Sequence, residues 1–202
     1  MTDIERFRLF IAVTIPEEVK AKIAEAQSEL RRALPERSVR WTKREQFHLT
    51  LRFLGNVDAS RVEALEEALR AACRGFSALR LSAQGIGFFP DLRFPRVAWV
   101  RVIDQADQLP RLQQAVEVST REFMAEEQGE AFTGHVTLAR IKRIRRPEAE
   151  ALGKTAAGMA ERRFGEWTAY NVELMRSELS PKGALHTSLA AIPLASSAAE
   201  LD

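Results

Sequence analysis

The sequence predicts an α+β fold, in which strands pair mainly as hairpins and a few helices pack against the sheets. Residues 7–14 (FRLFIAVT) form an apolar, β-branched run that is typical of a buried strand. Residues 58–73 instead carry apolar side chains at helical spacing, which is typical of an amphipathic helix. Several strand candidates follow one another directly, and this order disfavours a regular alternation of strand and helix.

The first half of the chain begins with the buried strand and a helix that starts at Pro16. Proline suits a first helical turn, and the acidic residues after it stabilise the positive end of the helix dipole. This helix is expected to end near Leu34, because Pro35 interrupts it. The predicted elements are strand 7–14, helix 16–34, strands 38–41 and 47–54, helix 58–73, strands 79–89 and 97–103, and helix 109–127.

The second half repeats this arrangement of elements. A strand at 135–141 and a helix at 147–161 precede strands at 167–179 and 184–194, which flank a Ser-Pro-Lys-Gly turn. Because no low-complexity linker separates the halves, residues 1–194 are predicted to form a single bilobed domain. The small, polar segment 195–202 is expected to be a disordered tail.

Composition limits the classes of protein and of partner. The chain has 202 residues and a net charge of +2, which argues against coating of long nucleic acids but allows a local basic cleft. Its one cysteine, Cys73, cannot form an intramolecular disulfide and indicates a reducing compartment. No signal peptide and no apolar run of about 20 residues is evident. The sequence therefore predicts a cytoplasmic protein without a membrane segment.

The most distinctive feature is a short pattern that occurs twice, 87 positions apart. HLTL at positions 48–51 and HVTL at positions 135–138 use two of the three histidines in the chain. Both lie in strand candidates, where alternate side chains point to opposite faces. His48 therefore shares a face with Thr50, and His135 with Thr137. If the halves are related by an approximate two-fold axis, these two polar faces can meet across a cleft.

Paired histidines and threonines suit displacement at phosphorus. One histidine can activate water while the other protonates the leaving oxygen, and threonine hydroxyls can hold the non-bridging phosphate oxygens. A metal site fits less well, because nearby carboxylates or a third ligand are missing. A nucleophilic serine also fits less well, because no supporting motif accompanies it. The pattern thus favours phosphoryl chemistry without a metal or other cofactor.

These residues resemble the motifs of the 2H phosphoesterase superfamily, and specifically its RNA 2′,3′-cyclic phosphodiesterase branch, formerly called 2′-5′ RNA ligase. HLTLRFLG at 48–55 and HVTLAR at 135–140 resemble the two extended motifs of that branch. RLFIAV at 8–13 is similar to its opening strand, and Trp41 to a tryptophan that precedes its first motif. The resemblance extends over nearly the whole chain.

The resemblance implies a bilobed fold with two antiparallel sheets, flanking helices, pseudo-two-fold symmetry and a central cleft. It implies metal-independent hydrolysis of RNA 2′,3′-cyclic phosphate ends to 2′-phosphates. The reverse ligation is also possible, because joining and hydrolysis share the same phosphoryl geometry. We expect the enzyme to be a monomer. Carried onto matching positions, His48 is the general acid and His135 the general base. Thr50, Thr137 and Arg140 are the residues that bind the phosphate.

Strand alternation and the family pattern lead to different predictions for the two arginines that follow the motifs. Strict alternation places Arg52 on the face of His48, and places Arg140 opposite to His135. The family pattern nevertheless favours Arg140 as a phosphate contact, which requires a twist, a bulge or a strand end. Arg52 is a further candidate for contacting substrate, as is Phe47 by stacking a base. His186 stands where the branch often has tyrosine, and we interpret it as a non-catalytic strand position.

Two questions stay open at this level. The substrate is RNA with a cyclic phosphate end or a small cyclic nucleotide, because both carry the same reactive group. The alternative function is a module that binds RNA ends or nucleotides without turning them over. Two proton-transfer groups argue against that alternative, since binding alone does not need them.

Overall fold

Nine strands and four helices make up the fold in a computed structural model that describes residues 5–34, 38–124, 131–180 and 183–195. The helices are α1 (Glu17–Arg32), α2 (Val62–Cys73), α3 (Gln108–Thr120) and α4 (Arg146–Ala157). The strands are β1 (Arg6–Val13), β2 (Val39–Trp41), β3 (Leu49–Asp58), β4 (Leu79–Phe89), β5 (Val97–Asp104), β6 (His135–Ile141), β7 (Arg163–Ala169), β8 (Asn171–Ser180) and β9 (Gly183–Pro193).

The strands form two antiparallel sheets whose orders correspond. One sheet has the order β3-β1-β8-β9, and the other has β2-β6-β5-β4-β7. Apart from β2, each strand of the second sheet has a counterpart in the first. The unit β1-α1-β3 also matches β5-α3-β6, because in each a helix connects two neighbouring antiparallel strands. The predicted α+β class with two antiparallel sheets is confirmed.

The helices pack on the sheets through the apolar faces that the sequence predicts. In α1 the buried residues are Val19, Ile23, Ala26 and Leu30, at the spacing of a single helical stripe. Buried side chains of both sheets, such as Leu49 and Leu138, belong to one apolar cluster. Within the described residues, no helix has the length and apolar character needed to cross a membrane.

Three predicted boundaries differ from the structure. The predicted strand 167–179 is two strands, β7 and β8, which belong to different sheets and are separated at Tyr170. Alternation continues through this crossing because each strand is half-buried in its own sheet. The predicted helix 109–127 ends as an α-helix at Thr120, and residues 125–127 lie outside the described residues, as do 196–202 of the predicted tail. Finally, β3 continues past Gly55, whose φ of +73° fits an irregular strand.

A β-bulge interrupts each motif strand at the same relative position. Thr50 pairs with Ala12 and Arg52 with Ile11, so that Leu51 is the extra residue in β3. In β6 the extra residue is Leu138, which lies between the paired positions of Thr137 and Ala139. Leu51 and Leu138 are again 87 positions apart. Because an extra residue exchanges the faces of the side chains that follow it, alternation fails after each motif.

The bulge explains the position of Arg52, for which the predicted face is wrong. Arg52 is 6% exposed and its side chain reaches α3 instead of the cleft. Its guanidinium donates to the carbonyl of Glu117 and, over 3.3 Å, to the hydroxyl of Thr120. Nε also lies 2.9 Å from Sδ of Met124. Arg52 therefore connects β3 to the end of α3, where a cation also suits the negative end of the helix dipole.

We expect Arg52→Ala to destabilise the fold. Removing the guanidinium leaves buried acceptors at the end of α3 without their donor, and this should lower the free energy of unfolding by about 2–4 kcal/mol in urea titrations. Arg111→Ala is the matched control on the exposed side of the same helix, with an expected change within about 0.5 kcal/mol. Unchanged stability of Arg52→Ala together with weaker substrate binding would contradict the structural role.

Candidate active site

A cavity of about 540 Å³ brings the two motifs together. His48 and Thr50 line it from the side of the four-stranded sheet, and Thr137 and Arg140 line it from the five-stranded sheet. His135 is not among the residues that line it, but it lies two positions before Thr137 on the same face of β6, which places it at the edge of the cavity. Of the sequence-predicted site residues, these five are brought to one cleft or its edge.

The two histidines are held in the same way. Nδ1 of His48 lies 2.7 Å from the carbonyl oxygen of Gln46, and Nδ1 of His135 lies 2.7 Å from that of Thr133. A carbonyl oxygen can only accept, so Nδ1 carries the proton in each ring. Nε2 of the neutral ring is then the acceptor and is the nitrogen available for proton exchange. Each half-site thus presents one imidazole in a defined tautomer.

Aromatic side chains of neighbouring strands pack against both rings. The ring of Phe10 on β1 lies 4.8 Å from that of His48. Phe89 and Trp99, on β4 and β5, lie 5.1 Å and 6.0 Å from the ring of His135. This packing orients the imidazoles and removes them from most of the solvent.

Burial lowers the pKa of both imidazoles. The pKa of His48 falls to about 4, chiefly because burial disfavours the cation, and the charges of His186, Lys20 and His135 act in the same direction. Burial also lowers the pKa of His135, with a further contribution from Arg140. The backbone hydrogen bonds oppose these effects. Both rings are therefore neutral at pH 7 in the empty cleft, and a bound anion would raise both pKa values.

Arg140 lies where the family resemblance places it and where alternation does not. It lines the cavity with Thr137 because the bulge at Leu138 turns its side chain to that face. The bulge is held from outside the strand: the carbonyl of Leu138 accepts from the backbone N–H of Thr42 at 2.9 Å and from Nε2 of Gln27 at 2.8 Å. The phosphate-binding role of Arg140 stays a prediction.

Phe47 does not lie in the cleft, which corrects its assignment as a base-stacking candidate. It is 2% exposed and belongs to the apolar core. The aromatic residue that sequence reasoning missed is Phe53, which is 42% exposed and lines the cavity. The repeat contained the signal, since Phe53 stands 87 positions before Arg140 and occupies the equivalent place after the first bulge.

His186 lies at the site rather than apart from it. Its ring meets that of His48 edge-on at 5.3 Å and that of Phe10 at 4.9 Å, and it lines the cavity from β9. The sequence could not reveal this contact, because β1 and β8 separate β9 from β3 in the order of the sheet.

The remaining histidine, cysteine and acidic side chains that the structure describes form no second centre of this kind. Among the described residues, no three histidine, cysteine, aspartate or glutamate side chains cluster so that they could hold a metal ion. Cys73 is buried at the end of α2, and burial raises the pKa of its thiol to about 11, which makes it inert.

The arrangement defines a class of protein: a two-sheet phosphoesterase with one His-x-Thr half-site in each sheet. The family model described as "LigT like Phosphoesterase" matches residues 13–99 and 101–186, so that each match contains one motif. The chain therefore belongs to the LigT-like phosphoesterase family.

Relatives of known structure or name agree with this assignment. An RNA 2′,3′-cyclic phosphodiesterase of Thermus thermophilus is 32% identical over 90% of this chain and 87% of its own length. The enzyme of the same name from Methanothermobacter thermautotrophicus is 29% identical over 91% of this chain and 97% of its own length. The crystal structure of TT0787 from Thermus thermophilus superposes with a TM-score of 0.75 at 31% identity, covering 94% of this chain and 98% of that one. E. coli LigT complexed with 3′-AMP shares the fold, with a TM-score of 0.73 at 21% identity over 94% and 99% of the two chains.

We expect His186→Gln to raise the pKa of His48. A neutral side chain at position 186 removes a positive charge that disfavours the His48 cation, and NMR titration of the imidazole protons measures the change. His135 serves as the internal reference, and Thr187→Val on the same strand is the control variant. An unchanged or lower pKa of His48 would show that the ring contact carries no electrostatic coupling.

Proposed function

We propose that this enzyme hydrolyses the 2′,3′-cyclic phosphate ends of RNA to 2′-phosphomonoesters by acid–base catalysis with His48 and His135, without a metal ion. The observation that carries the proposal is the pair of equivalent half-sites, each with a histidine held through Nδ1 and a threonine on the same cleft wall. The names of the relatives, which match over nearly the full chain, supply the substrate class.

In the proposed reaction water attacks phosphorus and the bond to the 3′ oxygen breaks. Nε2 of His135 accepts a proton from the attacking water, while His48 donates a proton to the departing 3′ oxygen. The hydroxyls of Thr50 and Thr137 donate to the non-bridging oxygens, and the guanidinium of Arg140 offsets the charge that develops there. The product retains its phosphate on the 2′ oxygen, and the two histidines return to their starting states by exchange with solvent.

His48 has to take up a proton from solvent when the anionic substrate binds. A pKa of about 4 leaves His48 neutral in the empty cleft, which is the form that a base needs. The anionic phosphate raises this pKa when it binds beside the ring, so the acid form is populated in the complex. The assignment of His48 as acid and His135 as base follows the family resemblance, and a dedicated experiment can separate the two roles.

We expect His48→Ala and His135→Ala each to lower kcat/KM by about 10²–10⁴-fold, the usual contribution of a general acid or base. The assay follows an oligoribonucleotide with a 2′,3′-cyclic phosphate in the presence of chelator, and identifies the product as the 2′-phosphate. Arg80→Gln, on the exposed side of β4, is the control and should retain activity. Full activity in both histidine variants would refute the mechanism.

The same variants can assign acid and base. A cyclic substrate with sulfur in place of the 3′ oxygen has a leaving group that needs no proton. His48→Ala should recover most of its activity on this substrate, whereas His135→Ala should not, because water still needs a base. The reverse pattern would exchange the two roles.

The cleft also supports two further readings of its chemistry. A 5′-hydroxyl can attack phosphorus in place of water, which forms a 2′-5′ linkage and corresponds to the ligation that the resemblance implies. A pure binding module would instead hold a 2′-phosphate product tightly and hydrolyse no cyclic ester. We place the reaction in the cytoplasm and assign it to a monomer, as the sequence predicts.

Phe53 is proposed as the platform for the terminal base. Its exposed ring lines the cavity, and base–aromatic stacking is worth about 1–3 kcal/mol. Phe53→Ala should therefore raise KM by about 5–150-fold, and Phe53→Tyr should leave it nearly unchanged. Phe94→Ala is the control, because Phe94 is 73% exposed outside the cavity. An equal effect of both alanine variants would exclude a stacking role.

A further inference from the structure

We propose that Arg40 and Arg8 form a second phosphate subsite, which binds a phosphate on the 5′ side of the nucleotide whose cyclic ester is cleaved. This inference rests on the proposed function and specifies its substrate class. The preferred substrates are then cyclic phosphates that carry a further phosphate group, as every RNA end does, over nucleoside 2′,3′-cyclic phosphates.

The first argument is the pairing of Arg40 with Arg140. The two residues lie directly opposite each other in the antiparallel pair of β2 and β6. Side chains at directly opposite positions project from the same face with Cβ atoms about 4.5–5.5 Å apart, and like charges there are destabilising. Both arginines line the cavity. Such a pair becomes favourable when an anion lies between or beside the two guanidinium groups.

The second argument is the lack of a compensating acid. Among the described residues that line the cavity there is no aspartate or glutamate. Within the described part of the chain, Arg8 and Arg40 form no ion pair, although their sequence neighbours do. Arg6 pairs with Asp58 at 2.9 Å, and Arg44 pairs with Glu17 at 3.0 Å. Within the part of the chain that the structure describes, acidic side chains thus neutralise arginines next to the cleft, and none neutralises Arg8 or Arg40.

The third argument is the position of Arg8 on the opposite wall. Arg8 extends from β1 of the four-stranded sheet, whereas Arg40 and Arg140 belong to the five-stranded sheet. Arg8 pairs with Asn56, next to Gly55, where an added Cβ would meet no atom within 4 Å. The cavity is thus open beside Arg8.

In the proposed reaction the guanidinium groups of Arg8 and Arg40 are not needed to bind the reacting phosphate. Thr50, Thr137 and Arg140 already account for its non-bridging oxygens in the proposed reaction. Guanidinium groups bind phosphate through paired, charge-assisted hydrogen bonds. A second phosphate of the substrate is the anion that Arg8 and Arg40 can receive from the two walls of the same cleft.

The experiment compares two substrates that differ by one group: adenosine 2′,3′-cyclic phosphate with and without a 5′-phosphate. We expect wild-type kcat/KM to be about tenfold or more higher with the 5′-phosphate. Arg40→Gln and Arg8→Gln should each remove most of this preference, measured as the ratio of kcat/KM for the two substrates. Arg111→Gln, with the same charge change on α3, should retain the preference. A preference that is absent in the wild type, or that survives in both variants, overturns the subsite.

A binding measurement separates failure of the subsite from failure of the proposed function. Calorimetry compares adenosine 2′-phosphate with adenosine 2′,5′-bisphosphate, and needs no turnover. If neither cyclic substrate is hydrolysed, the proposed function fails, whereas tighter binding of the bisphosphate that depends on Arg40 and Arg8 still supports the subsite.

A dinucleotide with a 2′,3′-cyclic phosphate end tests whether the subsite also accepts the phosphodiester of RNA. A preference for it equal to that for the 5′-phosphate assigns the subsite to RNA, and a preference for the 5′-phosphate alone assigns it to free nucleotides.

Discussion

The bulge at Leu138 is the constraint on which the composition of the cleft depends. Without the extra residue, strand alternation would direct Arg140 into the protein and leave the second half-site with a histidine and a threonine only. The extra residue is anchored by Gln27 of α1 and by the backbone of Thr42, both of which donate to its carbonyl. A helix and a short edge strand far from the motif in sequence therefore support the position of a single guanidinium group.

The bulge at the equivalent position in the first half has a different result. The bulge at Leu51 turns Arg52 away from the cleft, where it connects β3 to α3, and turns Phe53 toward the cleft. The equivalent positions in the second half hold Ala139, which is buried, and Arg140, which lines the cavity. The repeat thus preserves the histidine and the threonine of each half-site, and differs in the residues that follow each bulge. One wall of the cleft is aromatic there, and the other is cationic.

The protonation of His48 depends strongly on whether an anion is bound in the cleft. Burial and the charges of His186, Lys20 and His135 all lower the pKa of His48 and so disfavour its protonated form. An anion reverses the sign of the local field and favours the proton that the proposed chemistry needs. The shared Phe10 contact of His48 and His186 means that the third histidine belongs to this balance.

The sequence alone determined the parts that depend on local pattern and on repetition. Apolar runs located eight of the strand segments, helical spacing located the four helices, and the repeated motif identified His48, Thr50, His135 and Thr137 as a set. It could not separate β7 from β8, because a strand that changes sheets keeps the same alternation. It misplaced Arg52 and missed Phe53, since a bulge depends on the partner strand. It also assigned Phe47 to the cleft, although strand alternation places that side chain opposite to His48. Only the tertiary structure decided that His186 touches His48 and that Arg40 faces Arg140, because both contacts join segments distant in sequence and fixed by sheet pairing.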